Sequence, residues 1–207
     1  MKYNGPKFKL CRREGVNLFG IPKYDVRKRK KLPGQHGASM PRLSEYGKLL
    51  RNKQTLKRTY LLKEKQFKQT IMDKAGRYSK NKGVAHDEAA VQFLERRLDS
   101  VLLRAGFAKT IMQARQIAAH GHFLLNGNKH KVPSYLVKVG DKISLKEKLK
   151  TSSLYSDIPL NEGGFKLPSW LNVDKEKLEI ELLDMPRVDE ISLPADILKA
   201  IEFYARA

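Results

Sequence analysis

The sequence predicts an α+β chain: mostly helical, with two helices packed on a small antiparallel sheet near its middle and an extended basic arm at its N-terminus. Three observations predict it. Apolar residues recur at helical spacing over 44–77, 91–105 and 110–120. After Gly121 the period turns from helical to extended, with Asn126-Gly127 as a hairpin signal. Residues 1–42 hold five Gly and four Pro and no sustained apolar period.

The arm carries the run Arg27-Lys28-Arg29-Lys30-Lys31. It is read as an extended segment that orders on a polyanion, with Arg12, Arg13, Lys28, Arg29, Lys30, Lys31 and Arg42 as candidate phosphate ligands. In Pro33-Gly34-Gln35-His36-Gly37, glycines flank Gln35 and His36, so backbone and side chains there can approach a ligand closely.

From Ser44 to about Arg77, Leu49, Leu56, Tyr60, Phe67, Ile71 and Ala75 mark two or three amphipathic helices with a break near Leu62 to Glu64. Lys53, Lys57 and Arg58 on the polar side are candidate nucleic-acid ligands, because like charges four residues apart repel unless an anion lies between them. Gly76 to Gly83 reads as a hinge. Residues 91–105 read as one helix with Val91, Leu94, Leu98, Val101, Leu102 and Ala105 on its buried face and Arg96, Arg97 and Arg104 off it, Arg96 and Arg97 being candidate RNA ligands.

A second helix is capped by Thr110 with Gln113 three residues on, and ends at His120-Gly121. Lys109, Thr110 and Arg115 are read as a phosphate seat at its start, with Arg115 an exposed cation that contributes little to stability. Strands follow at Phe123-Leu124-Leu125, at the return through Val132, and at Ile143 and Leu145. His120, His122 and His130 lack Cys or clustered carboxylates beside them, so hydrogen bonding or stacking on RNA is expected rather than metal binding. Beyond Leu149, Trp170 anchors a local core, Leu178, Ile180 and Leu182 alternate with Glu179 and Glu181 as a half-buried strand, and a last helix runs from Pro194 with Ile197, Leu198, Ile201 and Tyr204 on one face.

The charge pattern narrows the function. The 207 residues contain 42 Lys+Arg and 22 Asp+Glu, a net +20. Residues 1–90 carry a net +17, 91–150 a net +8, and 151–207 a net −5. The first two stretches call for a polyanion, and nucleic acid is expected ahead of an anionic membrane surface. The acidic stretch is expected to face protein, with Asp174, Glu176, Glu179, Glu181, Asp189 and Glu190 as candidate interface residues. No apolar run approaches the roughly 18 residues of a membrane span, and the polar, basic start has no apolar signal region, so a cytosolic chain is expected. A lone cysteine, Cys11, excludes an internal disulfide, and neither a structural zinc site nor any other cofactor is expected.

Arg97-Leu98-Asp99, Ala105-Gly106-Phe107-Ala108-Lys109-Thr110, Gln113-Ala114-Arg115-Gln116, His120-Gly121-His122, Asn126-Gly127, Pro133-Ser134-Tyr135 and Val139-Gly140-Asp141-Lys142-Ile143 together resemble the RNA-binding module named after small-subunit ribosomal protein four. That module also occurs in pseudouridine synthases, RNA methyltransferases and tyrosyl-tRNA synthetases. The flanks extend the resemblance over essentially the whole chain: Tyr3-Asn4-Gly5-Pro6, Cys11-Arg12-Arg13-Glu14-Gly15, Pro33-Gly34-Gln35-His36-Gly37, Ser44-Glu45-Tyr46-Gly47, Pro168-Ser169-Trp170-Leu171 and Ile201-Glu202-Phe203-Tyr204 resemble the bacterial ribosomal protein family itself.

The resemblance implies a primary ribosomal-RNA-binding protein that joins small-subunit assembly early at a multi-helix junction in the 5′ domain. It also implies a place beside small-subunit ribosomal protein five, near where messenger RNA enters, an influence on decoding accuracy and, in some members, repression of their own messenger. For the fold it implies an arm at 1–42, a helical domain of 43–90 plus 188–207, and an inserted RNA-binding module with a strand-rich acidic extension at 91–187. Many members bind zinc through four arm cysteines. Here Phe8 stands in place of the first, only Cys11 remains, and the chain resembles the metal-free variant. His86-Asp87-Glu88 also departs from the family's usual start of that helix.

Two rivals are set aside on sequence grounds. Arg97-Leu98-Asp99 also resembles the catalytic triplet of pseudouridine synthases, but no catalytic sheet follows Asp99, so no enzyme is expected. A stress-response RNA binder built on the same module would not need the arm or the Trp-containing acidic stretch.

Overall fold

A computed structural model describes residues 3–28, 31–35, 37–39, 42–156, 167–174 and 176–206, with the side chains of Lys28 and Ser156 outside the description. In chain order the elements are α1 (Lys7–Glu14), α2 (Glu45–Thr59), α3 (Glu64–Lys68), a π-helical segment (Gln69–Lys74), α4 (Ala75–Lys82), α5 (His86–Glu95), α6 (Leu98–Arg104), α7 (Ile111–His120), β1 (Phe123–Leu125), β2 (Asn128–Lys129), β3 (Lys142–Leu145), α8 (Glu147–Lys150), α9 (Ser153–Ser156), β4 (Leu171–Asp174), β5 (Glu179–Leu182) and α10 (Ile197–Arg206). The chain divides into two compact units, 1–90 with 193–207 and 91–192.

In the first unit the expected extended arm is in part a helix. α1 ends at Gly15 in the left-handed region, whose N–H donates to the Cys11 carbonyl at 2.8 Å. Cys11, Leu18 and Phe19 are buried, and Phe8 stacks on Tyr24 at 6.2 Å between centroids. Two short segments bury their apolar residues against each other, so no 3.6-residue period was needed.

α2 starts at Ser44, whose hydroxyl accepts from Gly47 N at 3.2 Å. It ends where Leu61 takes φ +50°. Its buried residues Leu49 and Leu56 lie in a core with Tyr60, Phe67 and Ile71 and with Ile197, Ala200, Phe203 and Tyr204 of α10, the partner that the apolar face of the last helix requires. α10 starts at Ile197 rather than Pro194, because the Asp196 carboxylate accepts from Leu198 N at 2.9 Å and so caps the helix three residues later than expected. The expected hinge at 76–83 is helical: α4 runs through it and stops only at Gly83, at φ +68°.

Glu64 ties this unit together, accepting from Lys53 and Lys57 at 2.6 Å each and from the Tyr204 hydroxyl at 2.7 Å. Lys53 also lies 4.5 Å from the centre of the Phe203 ring. Partial burial pushes the Glu64 carboxyl up, but the hydrogen bonds from Lys53, Lys57 and Tyr204 and the charge of Lys57 outweigh it and hold the group at about 2 against an ordinary 4.5. The stability Glu64 contributes is therefore fully present above about pH 4.5 and is lost as pH falls towards about 2. Acid unfolding followed by circular dichroism should show a loss over that window which Glu64→Gln, already weaker at neutral pH, lacks.

The second unit carries α6 and α7 on a five-stranded antiparallel sheet of order β2-β1-β3-β5-β4. Phe123, Ile143, Leu145, Ile180, Leu182 and Leu171 form the sheet's core face, closed by Trp170, Val101, Leu102, Ala114 and Ile117. Ile143 pairs with Ile180 in register, so the acidic stretch extends the same sheet and shares its core. The single helix expected over 91–105 is two. Arg97 takes ψ 139°, Leu98 N donates to Tyr135 O at 2.9 Å, and the chain turns before α6. The spacing of apolar residues is unchanged across this break, which is why periodicity ran through it.

Candidate nucleic-acid interface

Several of the expected cationic ligands are held by the fold itself. In the second unit the Asp99 carboxylate, fully buried, accepts from Arg97 at 3.0 Å through both nitrogens and from Arg115 at 2.9 and 2.7 Å. Arg115 is thus a structural cation, and the expectation that it lies free for phosphate at no cost to stability does not hold. Arg104 clamps the buried Glu95 at 2.9 and 2.7 Å, and Arg96 donates to Val137 O at 2.8 Å. At the start of α7 the Thr110 hydroxyl accepts from Gln113 N and the Gln113 side chain accepts from Lys109 N, so two backbone donors at the expected phosphate seat are engaged within the chain. The Lys109 side chain is exposed.

The same correction applies in the first unit. Arg58, Arg51 and Thr55 surround the buried Glu14 carboxylate, with Arg51 at 3.1 Å and Thr55 at 3.2 Å. Lys53 and Lys57 face Glu64, the anion that their spacing demanded, supplied by the chain itself. Arg12 donates to the carbonyls of Lys31 and Leu32 at 2.8 and 3.0 Å. Arg13, Lys31, Gln35 and Arg42 are exposed. Arg29, Lys30 and His36 lie outside the described residues, as does the side chain of Lys28.

What the structure brings together is a cationic group at the C-terminal end of α7. Gly121 ends that helix at φ +68°, a conformation glycine adopts without strain. Around it stand His120 from α7, His122 just before β1, Lys129 in β2, Lys131 just beyond, and Lys146 just after β3. Lys146 Nζ donates to Gly121 O and its N–H to His122 O at 3.1 Å. A Cβ built on Gly121 would lie 2.9 Å from Lys131 Cγ and 3.4 Å from Lys129 Cε, so the stems of both lysines cross this glycine. The His120 and His122 rings are 5.8 Å apart, and His122 Nδ1 lies 2.7 Å from the Tyr155 hydroxyl.

Among the described residues no carboxylate forms an ion pair with Lys129, Lys131 or Lys146. Burial, with the charges of Lys129 and Lys131, lowers the Lys146 ammonium below its ordinary range. The negative end of the α7 dipole offsets part of this repulsion, but two exposed lysines and two histidines remain around one spot. The arrangement is suited to holding an oxyanion. Sequence reading reached His120 and His122 but missed Lys129, Lys131 and Lys146. Their signal was two lysines two residues apart, Lys129 and Lys131, directly after the Asn126-Gly127 turn that sends the chain back towards the helix end. Gly121→Ala should cost about 1–2 kcal/mol in urea unfolding, from the left-handed backbone, and should displace both lysine stems.

The acidic candidates divide. Glu179 and Glu181 alternate with buried Ile180 and Leu182 on β5, so they project from the face opposite the core, where Asp174 and Asn172 are their partners in register. Asp174 accepts from the backbone of Glu176 and Lys177 at 3.0 Å, and Glu190 is engaged by Ser169 at 2.8 and 2.6 Å. Glu176 and Asp189 are exposed.

Asp99 is buried between the guanidiniums of Arg97 and Arg115, and a cation cluster is exposed in the same unit; fold and site define a basic, polyanion-directed protein. Residues 2–95 match the family model described as the ribosomal protein S4/S9 N-terminal domain, and residues 96–143 match that of the S4 domain. The small ribosomal subunit protein uS4 of Petrotoga mobilis is 42% identical, the alignment covering 99% of each chain. Those of Persephonella marina and Alkaliphilus metalliredigens (uS4A) are 42% and 39% identical, covering 99% of this chain and 98% and 99% of theirs. The chain belongs to the family of small ribosomal subunit protein uS4.

Proposed function

We propose that the chain is a structural constituent of the small ribosomal subunit that binds small-subunit ribosomal RNA, at a junction in its 5′ domain, as an early step of assembly. The observation that carries this reading is the cation group around Gly121, where Lys129, Lys131 and Lys146 converge without a carboxylate among the described residues. Arg13, Lys31, Arg42 and Lys109 add exposed charge, and Gln35 an exposed polar contact. The acidic outer face of β5 and β4 is directed to a basic neighbour, small-subunit ribosomal protein five, near the point where messenger RNA enters, and through that contact the chain contributes to decoding accuracy.

The test is affinity for a 5′-domain fragment of small-subunit ribosomal RNA over a salt series. Each phosphate neutralised contributes about 0.7–0.9 to the slope of log affinity against log salt, so the expected slope is about −4 or steeper. A flat dependence, or equal affinity for duplex DNA at every salt, would overturn the reading.

A further inference from the structure

Resting on the reading of the Gly121 group as a contact for RNA phosphate, we propose that His122 takes up a proton when phosphate fills that group, so that RNA binding there is coupled to pH. The groups facing His122 are His120 from α7, Lys146 from the end of β3 and Tyr155 from α9, while Lys129 and Lys131 from the hairpin cross the adjacent Gly121 and act on Lys146. All are cationic or neutral. The carboxylate next in sequence to Lys146, Glu147, is paired with Lys150 at 2.8 Å.

Without an anion, protonating His122 adds charge to a site already holding several ammonium groups. Burial, then the charges of His120 and Lys146, keep its imidazole below the ordinary range. A bound phosphate reverses the sign of the local field and favours the imidazolium. Tyr155 makes the change mechanically simple. Burial raises its phenol well above the ordinary range, so it keeps its own proton. In the tautomer of the neutral ring that carries its proton on Nε2, the hydroxyl donates to Nδ1. When Nδ1 gains a proton from solvent, the hydroxyl rotates to accept it, and the ring stays in place at the observed 2.7 Å.

The experiment uses the full chain and the 5′-domain RNA fragment. Calorimetry near neutral pH in buffers of differing ionisation enthalpy counts protons taken up on binding, and affinity is followed from about pH 6 to about pH 8. A net uptake approaching one proton is expected, with affinity about three- to tenfold weaker at the upper end, since the bound state holds the proton more tightly. His122→Gln should remove both effects. In the wild-type chain the His122 ring resonances should titrate at higher pH in the complex than when free, a readout that needs no variant. Zero uptake, or uptake unchanged in His122→Gln, overturns the coupling. Weaker binding by Lys129→Gln/Lys131→Gln, together with a flat pH profile of the wild-type chain, would leave the phosphate contact standing while overturning the coupling; unchanged binding by that double variant would overturn the contact itself.

Discussion

Asp99→Ala is expected to destabilise the unit spanning 91–192 by about 3–5 kcal/mol, because it leaves Arg97 and Arg115 as two poorly solvated guanidiniums without their anion. The carboxylate is fully buried and also accepts from Ser100 N at 3.1 Å, so its loss also leaves a backbone donor without its partner. Urea unfolding measures the cost. Arg115→Ala should show a smaller loss of the same kind, since Arg97 still neutralises Asp99. RNA affinity per folded molecule should hold in both variants. An Asp99→Ala protein as stable as the wild type would mean that the buried triad does not hold α6 and α7 together.

Most of the second unit was legible in the sequence because its rules are local. Thr110 and Gly121 mark both ends of α7, Asn126-Gly127 sets the hairpin, and alternation from Leu178 to Leu182 gives β5. The break between α5 and α6 was not legible: it depends on Leu98 N and Asp99 N finding the carbonyls of Tyr135 and Pro133, some 35 residues away. α1 was missed for a related reason, as its buried Cys11 shares a core with Leu18 and Phe19 beyond its own end.

The candidate site was legible only as a net charge. A sequence counts cations but does not say which carboxylate each one faces. Glu14, Glu64, Glu95 and Asp99 absorb Arg51, Arg58, Lys53, Lys57, Arg104, Arg97 and Arg115, whereas among the described residues Lys129 and Lys131 form no ion pair with a carboxylate and stand over Gly121. Proximity in the fold, not position in the run of basic residues, selects them.

Lys129→Gln with Lys131→Gln is the second large effect expected. Both lysines are exposed, so stability should stay within about 0.5 kcal/mol of the wild type. Affinity for the 5′-domain RNA fragment should fall by roughly 30- to 100-fold at moderate salt, and the salt slope should become shallower by about two, because two phosphates are no longer neutralised. A uniform decrease across RNA sequences is expected, because lysine pairing with phosphate carries no base information. An unchanged slope with a lower affinity would mean that the two side chains shape the site without touching phosphate.

The most direct measurement is a structure of the small ribosomal subunit assembled with this chain. The account predicts RNA phosphate oxygens within ion-pair distance, about 4 Å, of Lys129, Lys131 and Lys146 around Gly121, with the acidic outer face of β5 turned away from RNA towards protein. A Gly121 group open to solvent or covered by protein, with RNA instead lying along β4 and β5, would contradict it.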